Sequence, residues 1–391
     1  MAEKVTPDSG LDRREFLKAG VGGVGALCLA SVFGCTQERS AQKTLSPQTA
    51  QKGFVRPMRS RWFSELDNAK VRCELCPKRC VLAAGERATC RVRENRDGVG
   101  YTLAYGNPTL VQEDPVERKP FFHVMPGTRT LSIATAGCNL ECKFCEAWDI
   151  ALVAPEEVHA YDMPPETVVA HARATNVRSI SYAFSEPVIF YEYMAAVATL
   201  AKEAGLLNLI HTAGYIQPEP LKELSGKLDA ANVDLKSFDP AFYREVVGGE
   251  LEPVLGTLKL LRDAGVHIEI TNIVIPTLND DMAKISKMCQ WIASELGTNV
   301  PVHFARFYPL YRLSNLPQTP VSTLDKARHT ALDAGLEFVY IARVTGHEGE
   351  NTFCPGCGET IIKRVGFVID EIHLENGKCN HCGWDIPGRW A

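Results

Sequence analysis

Short apolar, β-branched runs alternate with amphipathic stretches over the middle of the chain. The apolar runs predict six strands, at residues 130–135, 179–184, 207–212, 231–235, 267–275 and 302–308. The stretches between them predict helices at residues 165–174, 189–204, 219–224, 252–264 and 281–296. Strands that alternate with helices are typical of a parallel sheet. We therefore predict an α/β fold, a partial (β/α)6 TIM-like barrel over residues 129–345.

Polar residues follow the predicted strands, where α/β barrels place their chemistry. The candidates are Ser185 and Glu186 after the second strand, Gly214 after the third, Asp234 and Lys236 at the fourth, and His303 in the sixth. A glycine at 214 permits close backbone approach. We expect Asp234 and Lys236 to lie on opposite faces of their strand, both near the rim of the barrel.

Three cysteines, Cys138, Cys142 and Cys145, follow the first strand with the spacing C-x-x-x-C-x-x-C, and Phe144 precedes the third. Cysteine thiolates hold iron–sulfur clusters. A cubane cluster has four irons, so three thiolates leave one iron open to a small-molecule ligand. The alternatives are a zinc site or three unrelated buried cysteines, although zinc sites favour paired C-x-x-C knuckles.

Two further groups of cysteines have the spacing of metal sites. The amino-terminal cysteine set is Cys73, Cys76, Cys80 and Cys90, and the carboxy-terminal cysteine set is Cys354, Cys357, Cys379 and Cys382. The first set fits structural zinc or a second iron–sulfur cluster that relays electrons. The second fits a zinc ribbon or a rubredoxin-like iron site. Of the remaining cysteines, we expect Cys289 to be a small buried residue on a helix.

The first residues indicate export. Arg13 and Arg14 precede a weakly apolar, glycine-rich run, which predicts a twin-arginine signal over residues 1–35 and a polar linker over residues 36–69. The protein would then be periplasmic or membrane-associated, with the leader as a membrane tether, or cytoplasmic if the leader does not function. Cys35 is a candidate for lipid attachment, although Phe33 fits a lipoprotein signal poorly.

The composition and net charge narrow the class of protein. The chain has 391 residues, of which 45% are hydrophobic, and a formal net charge of −5, with no dense basic face for nucleic acid. We expect an amino-terminal cysteine-rich module at residues 70–128 and a carboxy-terminal module at residues 350–391, before and after the barrel. The proline-punctuated stretch that contains Lys119 is predicted to be a solvated loop, as is His123 beyond it.

These segments together resemble the radical SAM superfamily, in the branch of pyruvate formate-lyase activating enzyme, and more narrowly the AmmeMemoRadiSam-system proteins. The matching stretches are residues 73–93, 114–123, 132–150, 185–193, 234–239, 274–281 and 352–390. The resemblance implies a [4Fe-4S] cluster on Cys138, Cys142 and Cys145, with S-adenosylmethionine (SAM) on the fourth iron. Two motifs differ: Phe184-Ser185 replaces a glycine pair, and residues 211–214 read His-Thr-Ala-Gly instead of Asp-Thr-Asn-Gly.

The same resemblance implies roles for the strand-end residues. The SAM site would comprise Phe144, Ser185, Glu186, Gly214 and Asp234, with Glu186 at the amino group of SAM. Asp234, Lys236 and His303 are the candidate catalytic residues, because Asp234-Leu235-Lys236 matches the Asp-Leu-Lys motif of the activating enzymes.

The implied activity is reductive cleavage of SAM to a 5′-deoxyadenosyl radical, which abstracts hydrogen from an unknown substrate, with a protein as one option. It requires a low-potential electron donor of the flavodoxin or ferredoxin kind. Activation of a glycyl-radical enzyme is the alternative reaction. An exported iron–sulfur electron carrier is the alternative from a different class, and it would bind no SAM.

Overall fold

The structure, a computed structural model, describes residues 49–390. The predicted signal with Cys28 and Cys35, and residues 36–48 of the predicted linker, lie outside the described residues. Within the described part, no helix is both long and apolar enough to span a bilayer.

A single eight-stranded sheet forms the centre of the molecule. Its strands are β1 (Leu110–Pro115), β2 (Arg129–Ala134), β3 (Ser179–Tyr182), β4 (Leu207–Thr212), β5 (Ala230–Asp234), β6 (His267–Val274), β7 (Val302–Arg306) and β8 (Val339–Ala342). They lie in the order β8-β7-β6-β5-β4-β3-β2-β1. Strands β2 to β8 are parallel, and β1 pairs antiparallel with β2 at the edge.

Six helices of eight or more residues connect these parallel strands, besides the short helices Trp148–Ala151 and Pro240–Phe242. The six are α1 (Pro165–Ala174), α2 (Tyr191–Glu203), α3 (Pro218–Ser225), α4 (Leu251–Asp263), α5 (Met282–Glu295) and α6 (Val321–Asp333). Every residue of β3 is buried, as expected for a parallel strand covered on both faces. The predicted fold class, a partial α/β barrel with small cysteine-rich modules, is therefore confirmed. Strand β8 and helix α6 were not predicted, so the sheet has seven parallel strands and not six.

The amino-terminal module, residues 49–109, consists of short antiparallel strands. One sheet contains Phe63–Glu65, Val71–Cys73 and Val81–Leu82, and the other contains Met58–Arg59, Arg93–Arg96 and Val99–Thr102. Gln51–Lys52 pairs with His159–Ala160, which follows the cysteine loop. Residues 51–65, expected in a linker, thus contribute strands to the fold. Val71 and Leu82 belong to the same apolar core as the barrel strands.

The carboxy-terminal module folds as a three-stranded antiparallel sheet followed by a hairpin. The strands are Thr352–Phe353, Thr360–Val365 and Val368–Ile372, then Leu374–Glu375 and Lys378–Cys379. Buried Arg364 fastens the module to the barrel, because its guanidinium donates to the Phe122 carbonyl at 2.8 Å and lies 4.2 Å from that ring centroid.

Much of the segment from β1 to His123 is buried, so the prediction of a solvated loop was wrong. Asp114, Lys119 and His123 are each at most 2% exposed, whereas Arg118 is exposed. The polar sequence concealed this, because Lys119 is buried as the partner of Asp114.

Candidate active site

The carboxyl ends of the parallel strands open onto a cavity of about 580 Å³. Its walls combine cysteines, charged side chains and aromatic rings from strands distant in sequence. Among the lining residues are Lys119, Cys138, Cys142, Phe144, Cys145, Phe184, Ser185, Glu186, His211, Asp234, Lys236, Arg343 and Phe367. The structure therefore brings together most of the predicted site residues.

The cysteine loop, residues 135–147, follows β2. Hydrogen bonds to backbone carbonyls of other segments hold it in place. The amides of Glu141 and Lys143 donate to the carbonyls of Val247 and Val246 at 2.9 Å each. Asn139 donates to the Tyr215 carbonyl at 2.8 Å. The loop thus needs the turn of π-helix Tyr243–Val247 to hold its shape.

The three loop cysteines fit an iron–sulfur cluster. All three line the cavity, and the amide of Leu140 donates to Cys138 Sγ at 3.4 Å, the kind of hydrogen bond that tunes cluster sulfurs. Burial raises the pKa of the Cys145 thiol to about 12, so an unliganded thiolate is disfavoured there. A coordinating metal would ionise such thiols.

Glu186 lies beside the cysteines and is held by its neighbours. Its carboxylate accepts hydrogen bonds from Thr212 Oγ1 at 2.5 Å, the Ala213 amide at 2.8 Å and the Val188 amide at 3.1 Å. Glu186 therefore caps the short helix Pro187–Phe190 and ties it to the end of β4. Burial raises the pKa of this carboxyl group, and the hydrogen bonds oppose that rise.

Asp234 joins Lys236 and His211 at the end of β5. It pairs with Lys236 Nζ at 2.9 Å and with His211 Nε2 at 3.0 Å. The expectation of opposite faces was wrong, because residues two apart on a strand share a face. Burial alone would raise the pKa of Asp234, but Lys236 and His211 hold it well below its usual range. Burial likewise opposes the Lys236 charge, yet Asp234 raises the pKa of that ammonium above its usual range. Lys236 is thus a fixed cation.

Sequence reasoning missed a second buried ion pair at the cavity wall. Lys119 Nζ lies 2.6 Å from Asp114 and 3.7 Å from the ring centroid of Phe184, whose backbone has a φ of 70°. Burial lowers the pKa of Lys119 to about 8, while Asp114 opposes that shift. The only signal in the sequence was the charged cluster between the prolines at 115 and 120.

Of the remaining predicted site residues, one lines the cavity and two do not. Ser185 lines the cavity, and its buried hydroxyl has no hydrogen-bond partner within residues 49–390, so it is free to meet a ligand. Gly214 does not line the cavity; it has a φ of 68° and its carbonyl accepts from Thr257 at 2.7 Å. His303 also lies outside the lining, fully buried and 2.7 Å from Glu269.

The two four-cysteine sets differ in geometry. The carboxy-terminal set has all its sulfurs within 4.8 Å of one another, with Cys354 and Cys382 3.6 Å apart. A tetrahedral site with Zn–S bonds of about 2.3 Å needs sulfurs about 3.8 Å apart. The amino-terminal set lines a separate small cavity, and no such tight group occurs there among the described residues.

Sequence comparisons identify the family. The model of the Radical SAM superfamily matches residues 132–289. An uncharacterized protein of Methanocaldococcus jannaschii is 43% identical over 327 residues, which are 83% of this chain and 97% of that protein. The chain belongs to the radical SAM superfamily.

Other relatives of this radical SAM protein are more distant. The pyruvate formate-lyase-activating enzyme of Clostridium pasteurianum is 26% identical over 43% of this chain and 70% of that enzyme. Among solved structures, a radical SAM methyltransferase from Sphaerobacter thermophilus aligns with a TM-score of 0.44 at 15% identity, over 56% of this chain and 70% of that one. Membership of the radical SAM superfamily makes the protein a radical SAM enzyme, and members of that superfamily use a [4Fe-4S] cluster and SAM.

Proposed function

We propose that the cavity binds SAM beside a [4Fe-4S] cluster on Cys138, Cys142 and Cys145, and that the enzyme abstracts a hydrogen atom from a substrate. One observation carries the proposal: these cysteines, Glu186 and the pair of Asp234 with Lys236 line one cavity. When bound, the cluster would supply the electron that cleaves SAM reductively to methionine and a 5′-deoxyadenosyl radical.

The chain's own residues would orient SAM. Glu186 is fixed by three hydrogen bonds, which leave one lone-pair site on Oε2 for an ammonium group. Ser185 offers an unpaired hydroxyl beside it. The Lys236 ammonium, 5.5 Å from the Phe144 ring centroid, would attract the carboxylate or ribose oxygens of SAM.

Other residues would keep water and stray hydrogen donors from the radical. Phe184, Phe144 and Phe367 present rings to the cavity, and Arg343 bonds Glu146 of the cysteine loop at 3.0 Å. Phe367 comes from the carboxy-terminal module, so that module would help to enclose the substrate.

The test is anaerobic reconstitution with iron and sulfide, followed by SAM and dithionite. We expect 5′-deoxyadenosine from the wild-type chain and none from the variant in which Cys138, Cys142 and Cys145 are alanine. A reconstituted wild-type protein that holds a cluster but neither binds nor cleaves SAM would favour the electron carrier instead.

For the substrate, activation of a glycyl-radical enzyme is the alternative that the sequence supports. Asp234-Leu235-Lys236 and the similarity to the Clostridium pasteurianum activating enzyme favour it. Such a reaction needs a protein substrate and a low-potential reductant, both in the same compartment. Incubation with a glycyl-radical enzyme would give a glycyl-radical EPR signal if this alternative holds, and none if the substrate is different.

Export by the twin-arginine route remains our proposal for localisation, supported by Arg13 and Arg14. SAM and low-potential reductants are cytoplasmic, so export would separate the enzyme from both unless the leader acts as a tether. Cell fractionation with an antibody to the barrel distinguishes periplasmic, membrane and cytoplasmic pools.

A further inference from the structure

The amino-terminal cysteine set lies against the active site. Its cavity is lined by Cys73, Cys76, Cys80 and Cys90 together with Asn139 of the cysteine loop and Val188 of the helix that Glu186 caps. The contact is close: a Cβ on Gly137 would stand 2.6 Å from the Cys90 carbonyl oxygen. The backbone of Cys90 thus packs directly against the residue that precedes Cys138.

Arg93, a buried residue of this cavity lining, has one N–H without a partner. It is 1% exposed, and its Nη atoms pair with Glu192 at 2.9 and 3.0 Å, whereas its Nε has no hydrogen-bond acceptor among the described residues. An unpaired buried N–H is costly, and a guanidinium N–H bonds most strongly to an anionic acceptor.

The distances between the cysteine sulfurs distinguish a zinc site from an iron–sulfur cluster. A single zinc ion draws four sulfurs to about 3.8 Å from one another, which is the arrangement of the carboxy-terminal set. In a cubane cluster four irons stand between the sulfurs and hold them farther apart. The amino-terminal set shares its looser arrangement with Cys138, Cys142 and Cys145, since neither forms a tight group within residues 49–390.

We propose that Cys73, Cys76, Cys80 and Cys90 hold a second [4Fe-4S] cluster, fully ligated by protein, that passes single electrons to the active site. Each transfer oxidises this cluster by one electron, which an external low-potential donor of the ferredoxin or flavodoxin class replaces. Cys80 is partly exposed and next to exposed Val81, so the donor would dock on that side. Four thiolates leave no open iron, as suits a carrier. The electron-transfer role rests on the proposed function, whereas the presence of the cluster does not.

The decisive experiment uses the full chain with Cys138, Cys142 and Cys145 replaced by alanine, reconstituted anaerobically with iron, sulfide and zinc present. We expect this chain to retain one [4Fe-4S] cluster by iron and sulfide analysis, with an EPR signal after dithionite reduction. Adding Cys76→Ser and Cys80→Ser removes that signal, and adding Cys289→Ala, which replaces a buried helix cysteine outside all three sets, leaves it. A chain that takes up two zinc ions and no cluster overturns the proposal, even if the wild type cleaves SAM.

The electron-transfer role is tested in the chain with an intact active site. With Cys76→Ser and Cys80→Ser, SAM cleavage driven by reduced flavodoxin should fall to background, while cleavage driven by dithionite, a small reductant that reaches the cavity directly, persists. Equal loss with both reductants, or no loss with either, contradicts electron transfer through this site. If the serine variant does not fold, the cluster content of the alanine variant still decides whether the second cluster exists.

Discussion

At the scale of the residue, Glu186 holds the local structure and is also proposed to bind the ammonium group of SAM. Replacing it by Gln keeps its shape but removes the charge proposed to meet the SAM ammonium. A charge-assisted hydrogen bond contributes about 2 kcal/mol, so we expect the Kd for SAM to rise about 30-fold. Anaerobic calorimetry on reconstituted protein measures this.

Thr212→Val is the matched control for Glu186→Gln. It removes the hydrogen bond from Thr212 Oγ1 but keeps the carboxylate and its charge. The effect on SAM affinity should therefore be much smaller. Equal affinities for the wild type and Glu186→Gln would exclude a direct contact between Glu186 and SAM.

Asp234 is expected to matter for stability as well as for chemistry. Asp234→Asn leaves Lys236, which is 8% exposed, without a counter-charge. Removing one partner of a buried pair costs about 3 kcal/mol, so the free energy of unfolding in urea should fall by about that amount. Lys236→Met added to Asp234→Asn should recover part of the loss, because no unpaired ammonium remains. No recovery would show that the charge of Lys236 is not what destabilises the single variant.

The sequence predicts which polar residues lie at the strand ends, but it does not predict which groups they pair with. Periodicity places Glu186 and Asp234 at the ends of strands, and barrel geometry then gathers them into one cavity. It does not reveal that Glu186 caps its own helix, or that Lys119 is buried on Asp114. Hydrophobicity patterns treat both charges as solvent-facing, whereas the pairing partner decides the burial.

At the scale of the element, the cysteine loop depends on Gly137. This residue has a φ of 99°, which other residues rarely adopt, and a Cβ there would stand 2.6 Å from the Cys90 carbonyl oxygen. Gly137→Ala should therefore cost several kcal/mol, from backbone strain of about 1–3 kcal/mol and overpacking of a similar size. We expect a lower melting temperature and a lower iron content after reconstitution.

Gly226→Ala is the control for this glycine. Gly226 ends helix α3 with a φ of −65°, and an added Cβ meets nothing within 4 Å. Alanine should leave stability unchanged or raise it by up to about 1 kcal/mol. A Gly137→Ala chain as stable as Gly226→Ala would show that the loop and the amino-terminal module are not tightly coupled.

The elements that escaped prediction share a physical reason. Strand β1 reads Leu-Val-Gln-Glu-Asp-Pro, and a run this polar does not resemble a strand, although it pairs with β2 along its whole length. Strand β8 has only four residues, and unlike the equally short β3 it follows a helix, α6, that was itself not predicted. Both lie at the edges of the sheet, where tertiary pairing outweighs local propensity.

At the scale of the whole molecule, the three groups of cysteines differ in geometry and in position. The carboxy-terminal set is compact, as zinc requires, and its module presents Phe367 and Glu350 to the active-site cavity. The amino-terminal set adjoins the cysteine loop through Asn139. One module thus lies where it can deliver electrons, and the other lies where it can shape the substrate space.

His123 connects the carboxy-terminal module to the barrel by hydrogen bonds. It should make the stability of the folded protein depend on pH. Burial favours the neutral ring, whose Nδ1–H donates to the Pro387 carbonyl at 2.6 Å and whose Nε2 accepts from the Tyr340 hydroxyl at 2.7 Å. Burial lowers the pKa of His123 from 6.5 to about 3. Between these values the unfolded chain binds a proton that the folded chain does not. Stability should therefore fall as the pH drops below 6.5, by up to about 1.4 kcal/mol per pH unit from this residue.

Urea unfolding at several pH values between 7 and 4.5 tests this coupling. His123→Gln should lower stability at pH 7, because the bridge between Tyr340 and Pro387 is altered, but should also reduce the dependence on pH. His329→Gln, at an exposed position on α6, should leave that dependence unchanged.

Glu269 also contributes to the pH dependence of stability, but only at lower pH. Burial alone would raise the pKa of Glu269, but His267 and His303 hold it below its usual range, so its contribution to stability is lost as the pH falls further. The pH dependence of His123→Gln should therefore flatten above pH 5 and persist below it, and an unchanged slope above pH 5 would contradict the assignment to His123.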